Sequence, residues 1–313
     1  MPAFSRVVAE FVQRLPSKSS WNECTIDRCQ DIIILCPIFN TFTLPTLITM
    51  SFLKKIILSG LLFCFSLSSM AWWGTTGHRV VGEIAQKYLS SKASMAITAI
   101  LGTESLGMAS NWADFIKSDS NYNYLSAWHY INIKGGLTYN VFNSLLQNDI
   151  AVDLYTKLKF LIHELKNKQL AHDKKIFYLR LLIHFIGDIH EPMHVSREED
   201  QGGNKIKVTW FNEATNLHSV WDEKLLEFQK LSYTEYANAI NHTNSMQRNA
   251  WQKQSMAEWF YESYQIAGQL YAEIKQPDQK LSYRYNFDHL NTLNQQLLKA
   301  GVRLAGLLNQ IFG

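Results

Sequence analysis

No cysteine follows Cys64. All four cysteines of this 313-residue chain, Cys24, Cys29, Cys36 and Cys64, fall in its first 71 residues. A disulfide framework is therefore excluded for residues 72–313, which have to be held by an apolar core, by metal, or by both. A surplus of one charge is also lacking. Residues 1–71 carry 6 of the 30 basic and 4 of the 27 acidic side chains, which leaves 24 against 23. A protein that tracks duplex DNA through many phosphates needs a basic stripe. Here any phosphate binding has to be local, with cations supplying the charge. There is no internal repeat, no low-complexity tract and no linker that would divide residues 72–313, so they read as one domain.

The apolar run from Ile56 to Leu67 is too short for a comfortable membrane span. It lies between Lys54-Lys55 and Ser69-Met70-Ala71, the layout of a secretory signal over residues 50–71 with cleavage expected after Ala71. Met50 supplies a start for that signal. Residues 1–49 are then expected to be an upstream over-extension; the alternative is a membrane-associated leader, because Ile32 to Ile48 is also apolar. The expected location is periplasmic or secreted, with no stable membrane association after cleavage.

What is present is an ordinary core-forming composition, 47% hydrophobic and 18% charged. The pattern is mostly helical. Apolar residues at 80, 81, 84, 85 and 88 give Arg79 to Leu89 a helix period. Ser94 to Leu101 continues similarly, with Gly102 placed as a stop. Ile150 to Leu165 and Lys174 to His190 are long amphipathic stretches, the second ending as Pro192 approaches. Trp251 to Ile274 and Phe287 to Phe312 read as two closing helices. The one strand signal is the alternation Lys205-Ile206-Lys207-Val208-Thr209-Trp210 after Gly202-Gly203. The expected fold is all-α, a compact multi-helix domain with one short β-hairpin.

Ten histidines occur, all between His78 and His289, and several stand beside aspartates. Neutral imidazole with carboxylate is a ligand set for zinc. His184-x-x-x-Asp188 and His218-x-x-x-Asp222 each place both groups on one helix face, one turn apart. His184 and Asp188 are surrounded by apolar residues, where an unpaired carboxylate costs several kcal/mol, roughly, and a cation removes the difficulty. Asp114 with His129, His190 with His194, and His78 add further candidates, which points to a multinuclear metal site. Asn216 is placed to cap the helix that carries His218. Lys117, one turn after Asp114, can hold a phosphate oxygen or be a solvated lysine. Tyr130 can pack in the core or stack a nucleobase. Cleavage after Ala71 would also leave a tryptophan whose free α-amine and carbonyl can chelate a metal.

The motifs W-G-x-x-G-H at Trp73 to His78, W-A-D at Trp112 to Asp114, W-H-aromatic-I at Trp128 to Ile131, H-F-x-G-D-x-H-x-P-x-H at His184 to His194, G-G-N ending at Asn204, and N-L-H-S-V-W-D through Asp222 stand in this order. The set closely resembles the zinc-dependent single-strand-specific nuclease family of fungi, plants and bacteria, in the phospholipase C/nuclease superfold. The resemblance spans most of residues 72–222, while 223–313 adds helical character. It implies three Zn²⁺ ions. Asp114, His129, His184 and Asp188 would hold one, with Asp188 bridging to a second completed by His78 and the N-terminal tryptophan; His194, His218 and Asp222 would hold the third. The family's chelating tryptophan precedes the glycine, which indicates Trp73, whereas the cleavage rule indicates Trp72. His190 would be a supporting residue, and His163, His172, His242 and His289 match nothing.

The implied activity is endonucleolytic hydrolysis of single-stranded DNA or RNA to 5′-phosphorylated products, with 3′-nucleotidase activity, as in DNA catabolism. Asp114 would orient the attacking water and Lys117 would help neutralise the phosphoryl oxygens. Tyr130, Asn132 and Asn204 would bind substrate, and Asn132 stands where a base-reading aspartate is common. A zinc-dependent phospholipase C-like phosphodiesterase and a non-catalytic periplasmic zinc-binding protein are the alternatives. A monomer is expected.

Overall fold

The computed structural model describes residues 74–313; the expected over-extension, the signal segment, Trp72 and Trp73 lie outside the described residues. The elements in order are α1 (Thr75–Gln86), α2 (Ser91–Leu101), α3 (Leu106–Ala109) and α4 (Trp112–Phe115), then a 3₁₀ stretch (Ser120–His129) leading into β1 (Ile131–Asn132). Next come α5 (Tyr139–Gln147), α6 (Leu154–Leu165), α7 (His172–Asp188), a 3₁₀ turn (Pro192–His194) and β2 (Val195–Ser196). The hairpin strands β3 (Lys207–Trp210) and β4 (Glu213–Asn216) precede α8 (Leu217–Ser219), a π-turn (Val220–Lys224) and α9 (Leu225–Glu227). The chain closes with α10 (Tyr233–Ile240), α11 (Ser245–Lys253), α12 (Met256–Glu273), β5 (Gln279–Leu281) and α13 (Tyr283–Phe312). The fold is all-α, as the sequence pattern predicts. No helix among the described residues is long and apolar enough to cross a membrane.

Helix α7 is the axis of the molecule. Leu181 through Asp188 are all buried, and α1, α2, α3, α4, α6 and α13 pack around it. A helical segment buried on every side, as residues 181–188 are, belongs in the centre of a layered helical core. Its Leu181, Leu182, Ile183, Phe185 and Ile186 each contribute about 1.5–3 kcal/mol on burial. That gain offsets the cost of carrying His184 and Asp188 into the same interior. Helix α1 comes close enough to α3 that a Cβ on Gly82 would lie 2.6 Å from the backbone of Leu106 and Gly107. Only glycine permits that approach, and it sets the position of His78 one turn earlier.

Several boundaries depart from the sequence expectation. Helix α1 starts at Thr75 rather than Arg79, which brings His78 inside its first turn. The amphipathic stretch from Ile150 begins only at Leu154, because Asp153 caps it: its Oδ1 accepts from the Thr156 N–H at 3.0 Å, and Ile150 stays exposed. The single closing helix expected over Trp251 to Ile274 is two. Gln254 is extended (φ −64°, ψ 144°), and Ser255 with Glu258 forms a capping box that starts α12 afresh. Helix α2 does stop at Gly102, whose φ is +65°.

The expected hairpin is β3 against antiparallel β4, and β5 joins β3 in parallel on its other side. A second pairing, parallel β1 and β2 with Ile131 opposite Val195 and Asn132 opposite Ser196, ties the end of the 3₁₀ stretch to the turn after α7. It sets His129 and Tyr130 beside His194.

Candidate metal centre

Eight of the residues singled out in the sequence converge at the C-terminal end of α7. His184 and Asp188 come from α7 itself, His78 from α1, Asp114 from α4, His129 from the 3₁₀ stretch, and His194 from the turn after α7. His218 and Asp222 span α8 and the π-turn, the kind of local widening that recurs at functional sites. Trp72 and Trp73 lie outside the described residues. The Gly74 N–H donates to the Asp222 carbonyl at 2.7 Å, so the described chain begins against the same cluster.

Asp188 is the hub. Its Oδ2 lies 3.1 Å from His129 Nδ1 and 3.4 Å from His184 Nε2, and its Oδ1 lies 3.4 Å from His194 Nδ1 and 3.5 Å from His78 Nε2. Asp114 Oδ1 stands 3.7 Å from His184 Nε2 and 3.9 Å from His129 Nδ1. On the far side, Asp222 Oδ1 is 3.6 Å from His194 Nε2 and Oδ2 is 3.8 Å from His218 Nε2. The His78 and His184 rings stack at 3.7 Å.

Three of the imidazoles are fixed from behind by backbone carbonyls. His184 Nδ1 donates to the Ser110 carbonyl at 2.6 Å, His194 Nδ1 to the His129 carbonyl at 2.8 Å, and His218 Nδ1 to the Gly202 carbonyl at 2.8 Å. A carbonyl only accepts, so each Nδ1 carries the proton and each Nε2 presents a lone pair to the cluster. This is the arrangement by which outer partners orient metal-binding histidines. Gly202 and Gly203, with φ of +62° and +81°, form the turn that delivers the third carbonyl.

Burial decides the protonation states. It pulls His184 and His194 down to about 4, and holds His78 and His129 well below the ordinary imidazole value. The His218 imidazole is lowered for the same reason. Asp188 is pushed well above the usual carboxylate range by burial and by the nearby Asp114 charge. Burial alone would raise Asp114 as well, but His184 and Lys117 outweigh it and the group titrates below its ordinary value.

The Nε2 lone pairs of His184, His194 and His218 therefore face oxygens of Asp188, Asp114 and Asp222, acceptor against acceptor. His129 Nε2 and Asp188 Oδ1 are buried without a hydrogen-bond partner among the described residues. Buried polar groups in that state call for an explanation, and cations between them supply it. The residues fit metal ions. Two overlapping groups, His78–Asp114–His184 and His129–His184–Asp188, each bring three ligand atoms within 4.8 Å of one another, and a third group combines His194, His218 and Asp222 with Glu191.

The sequence reading did not single out Glu191. It is wholly buried, and its signal was present: an acidic residue inside an apolar stretch, between Asp188 and His194. His190 stays out of the cluster. Its Nδ1 donates to the Ile186 carbonyl and its Nε2 accepts from Arg303 Nη1, both at 2.8 Å, which leaves no lone pair for a cation. His163, His172 and His242 are exposed, and His289 is buried against Trp221 and Tyr285.

A cavity of about 500 Å³ opens beside the cluster, lined by His129, His194 and His218 together with Lys117, Tyr130, Asn132 and Asn204. Tyr130 is 43% exposed, not core. The solvated reading of Lys117 does not hold: its Nζ is 2.7 Å from Asp114 Oδ1, and the side chain is largely buried.

Scaffold, cluster and cavity define the class: an all-α domain able to hold cations next to a substrate-sized opening. Comparison with known proteins narrows it. Residues 73–313 match the family model described as S1/P1 nuclease, and the chain belongs to that family. It is 29% identical to Endonuclease 2 of Arabidopsis thaliana over 77% of this chain and 91% of that protein. It is 27% identical to nuclease P1 of Penicillium citrinum over 77% of this chain and 98% of that protein. Nuclease S1 of Aspergillus oryzae is 32% identical over a shorter stretch, 50% of this chain and 55% of that protein. The protein is thus a nuclease, a hydrolase of phosphodiester bonds with nucleic acid as its substrate class.

Proposed function

We propose that the protein is an exported, zinc-dependent endonuclease. It cleaves single-stranded DNA or RNA to 5′-phosphorylated products and removes the phosphate of 3′-nucleotides. The active domain in this reading is 72–313, produced by cleavage after Ala71. The observation that carries the proposal is Asp188, a wholly buried carboxylate ringed by four imidazole nitrogens within 3.5 Å.

In this reading Asp114, His129, His184 and Asp188 hold one ion, and Asp188 also serves a second with His78 and the amine and carbonyl of an N-terminal tryptophan. His194, His218 and Asp222 hold the third. The entry of the chain beside Asp222, at Gly74, supports a ligand from just upstream. Zinc in such a site supplies Lewis acidity toward phosphoryl oxygens and acidifies water.

The chain's own groups do the rest. Asp114, paired with the Lys117 ammonium and titrating below its ordinary value, accepts a hydrogen bond from the attacking water and aims its oxygen at phosphorus. Lys117 braces that carboxylate at 2.7 Å and faces the cavity, where its charge attracts the phosphate. Attack opposite the 3′ oxygen breaks the P–O3′ bond, leaving a 5′-phosphate on one fragment and a 3′-hydroxyl on the other. Tyr130 offers its exposed ring to a base, with Asn132 and Asn204 beside it to donate or accept at the base edge. A paired base has no free face for that ring, which favours unpaired strands.

The test is a panel of single-stranded DNA, RNA, 3′-AMP and phosphatidylcholine, assayed with chelator and after zinc is restored. Zinc-restorable release of 5′-nucleotides is expected. Cleavage of the lipid alone would instead favour the phospholipase reading, and zinc uptake with no hydrolysis a storage protein.

A further inference from the structure

Glu191 sits at the start of the 3₁₀ turn that delivers His194, and one of its oxygens has an evident job. Oε2 accepts from the His194 backbone N–H at 2.9 Å and so caps the turn. The other oxygen does not. Oε1 is buried and has no hydrogen-bond partner among the described residues, in a side chain with no solvent exposure at all. Capping accounts for one acceptor, and a glutamine carbonyl would serve for that as well as a carboxylate.

The surroundings give the carboxylate a role beyond capping, and the oxygen nearest the neighbouring imidazole is the capping Oε2 itself. Glu191, His194, His218 and Asp222 each offer a ligand atom, and all four lie within 4.8 Å of one another. Glu191 Oε2 is 3.8 Å from His194 Nε2, the ring atom that the His129 carbonyl has turned toward Asp222. Two buried carboxylates and two neutral imidazoles are thereby gathered on one point.

We propose that Glu191 is a fourth side-chain donor to the cation assigned to His194, His218 and Asp222, an inference that rests on the zinc reading above. The two carboxylates together carry the charge that neutralises a divalent ion. Three protein donors leave a zinc site open, whereas four close it. Glu191 would therefore give this ion four side-chain donors, as many as the ion assigned to Asp114, His129, His184 and Asp188.

The experiment is a zinc titration of the chelator-stripped, processed chain, wild type against Glu191→Gln, read by competition with a chromophoric chelator. Melting of both forms, metal-free and zinc-loaded, is followed in parallel. Glutamine keeps the volume and the capping carbonyl. One ion should bind at least about tenfold more weakly, while the metal-free Tm should be equal or higher, because a buried charge-bearing group has been replaced by a neutral amide. Unchanged zinc affinity would overturn the proposal. So would a Tm lowered equally with and without metal, which would leave Glu191 as a turn cap only. A wild-type chain that takes up no zinc would bring down the zinc reading itself, and this proposal with it.

Discussion

Asp188 Oδ1 lies 3.5 Å from His78 Nε2, so the first turn of the described domain meets the last turn of its central helix across a carboxylate. The other oxygen of the same group faces His129 and His184. Asp188→Asn is therefore expected to weaken two ions at once. Zinc per chain should fall, and turnover should drop by more than the roughly 10–100-fold typical of losing an outer partner of a ligand. Metal analysis of the purified variant beside its kcat checks this; full zinc content would contradict the assignment of Asp188.

The hydrogen bond from the Gly74 N–H to the Asp222 carbonyl brings the start of the described chain to the centre. If the free amine of Trp72 or Trp73 is a ligand, a chain that keeps its leader should be crippled, and so should one with a single residue added before the tryptophan. N-terminal sequencing of the exported protein, with activity measured on matched processed and extended forms, decides it. Equal activity of the two forms would remove the amine from the ligand set.

Tyr130 lines the cavity with much of its ring exposed. Tyr130→Ala should raise KM by the equivalent of about 1–3 kcal/mol if a base stacks there. The effect on kcat should be smaller, because the ring touches no reacting atom. An unaltered KM on single-stranded substrate would assign Tyr130 to structure.

Acid should release the metal late. An ordinary imidazole takes up a proton near 6.5, whereas burial holds His184 and His194 neutral down to about 4. Protons compete for these ligands only as pH falls toward that lower value, since a protonated ring cannot bind a cation. Zinc content after dialysis should persist at pH 5.5 and be lost on approach to 4. Loss already at pH 6.5 would contradict control by these rings and point to Asp188, whose carboxyl is raised by burial well above the usual range.

The sequence carried the donor set because His-x-x-x-Asp spacing is a local property of helices, and each cluster kept its spacing in the fold. The central helix was equally readable, since a long apolar stretch with two polar residues one turn apart has few other homes. What escaped was either non-local or made by the main chain. The parallel pairs β1–β2 and β3–β5 join segments far apart in sequence and only two or three residues long, which leaves no periodicity to detect. Helices α5 and α10 are short, with only two buried residues each. The break at Gln254 was hidden by apolar spacing that runs on through the capping box at Ser255. Glu191 passed as a spacer between two motif positions.

The carbonyls of Ser110, His129 and Gly202 orient three rings of the centre. Every residue type possesses that acceptor, so no point substitution at those sites can delete it. The acceptor itself therefore survives any side-chain change, although His129 is also assigned to an ion and Gly202 has no room for a Cβ, which would lie 2.6 Å from the Met193 carbonyl oxygen. Ring orientation is vulnerable only to changes in the path of the main chain, such as an insertion or deletion in the Gly202–Gly203 turn.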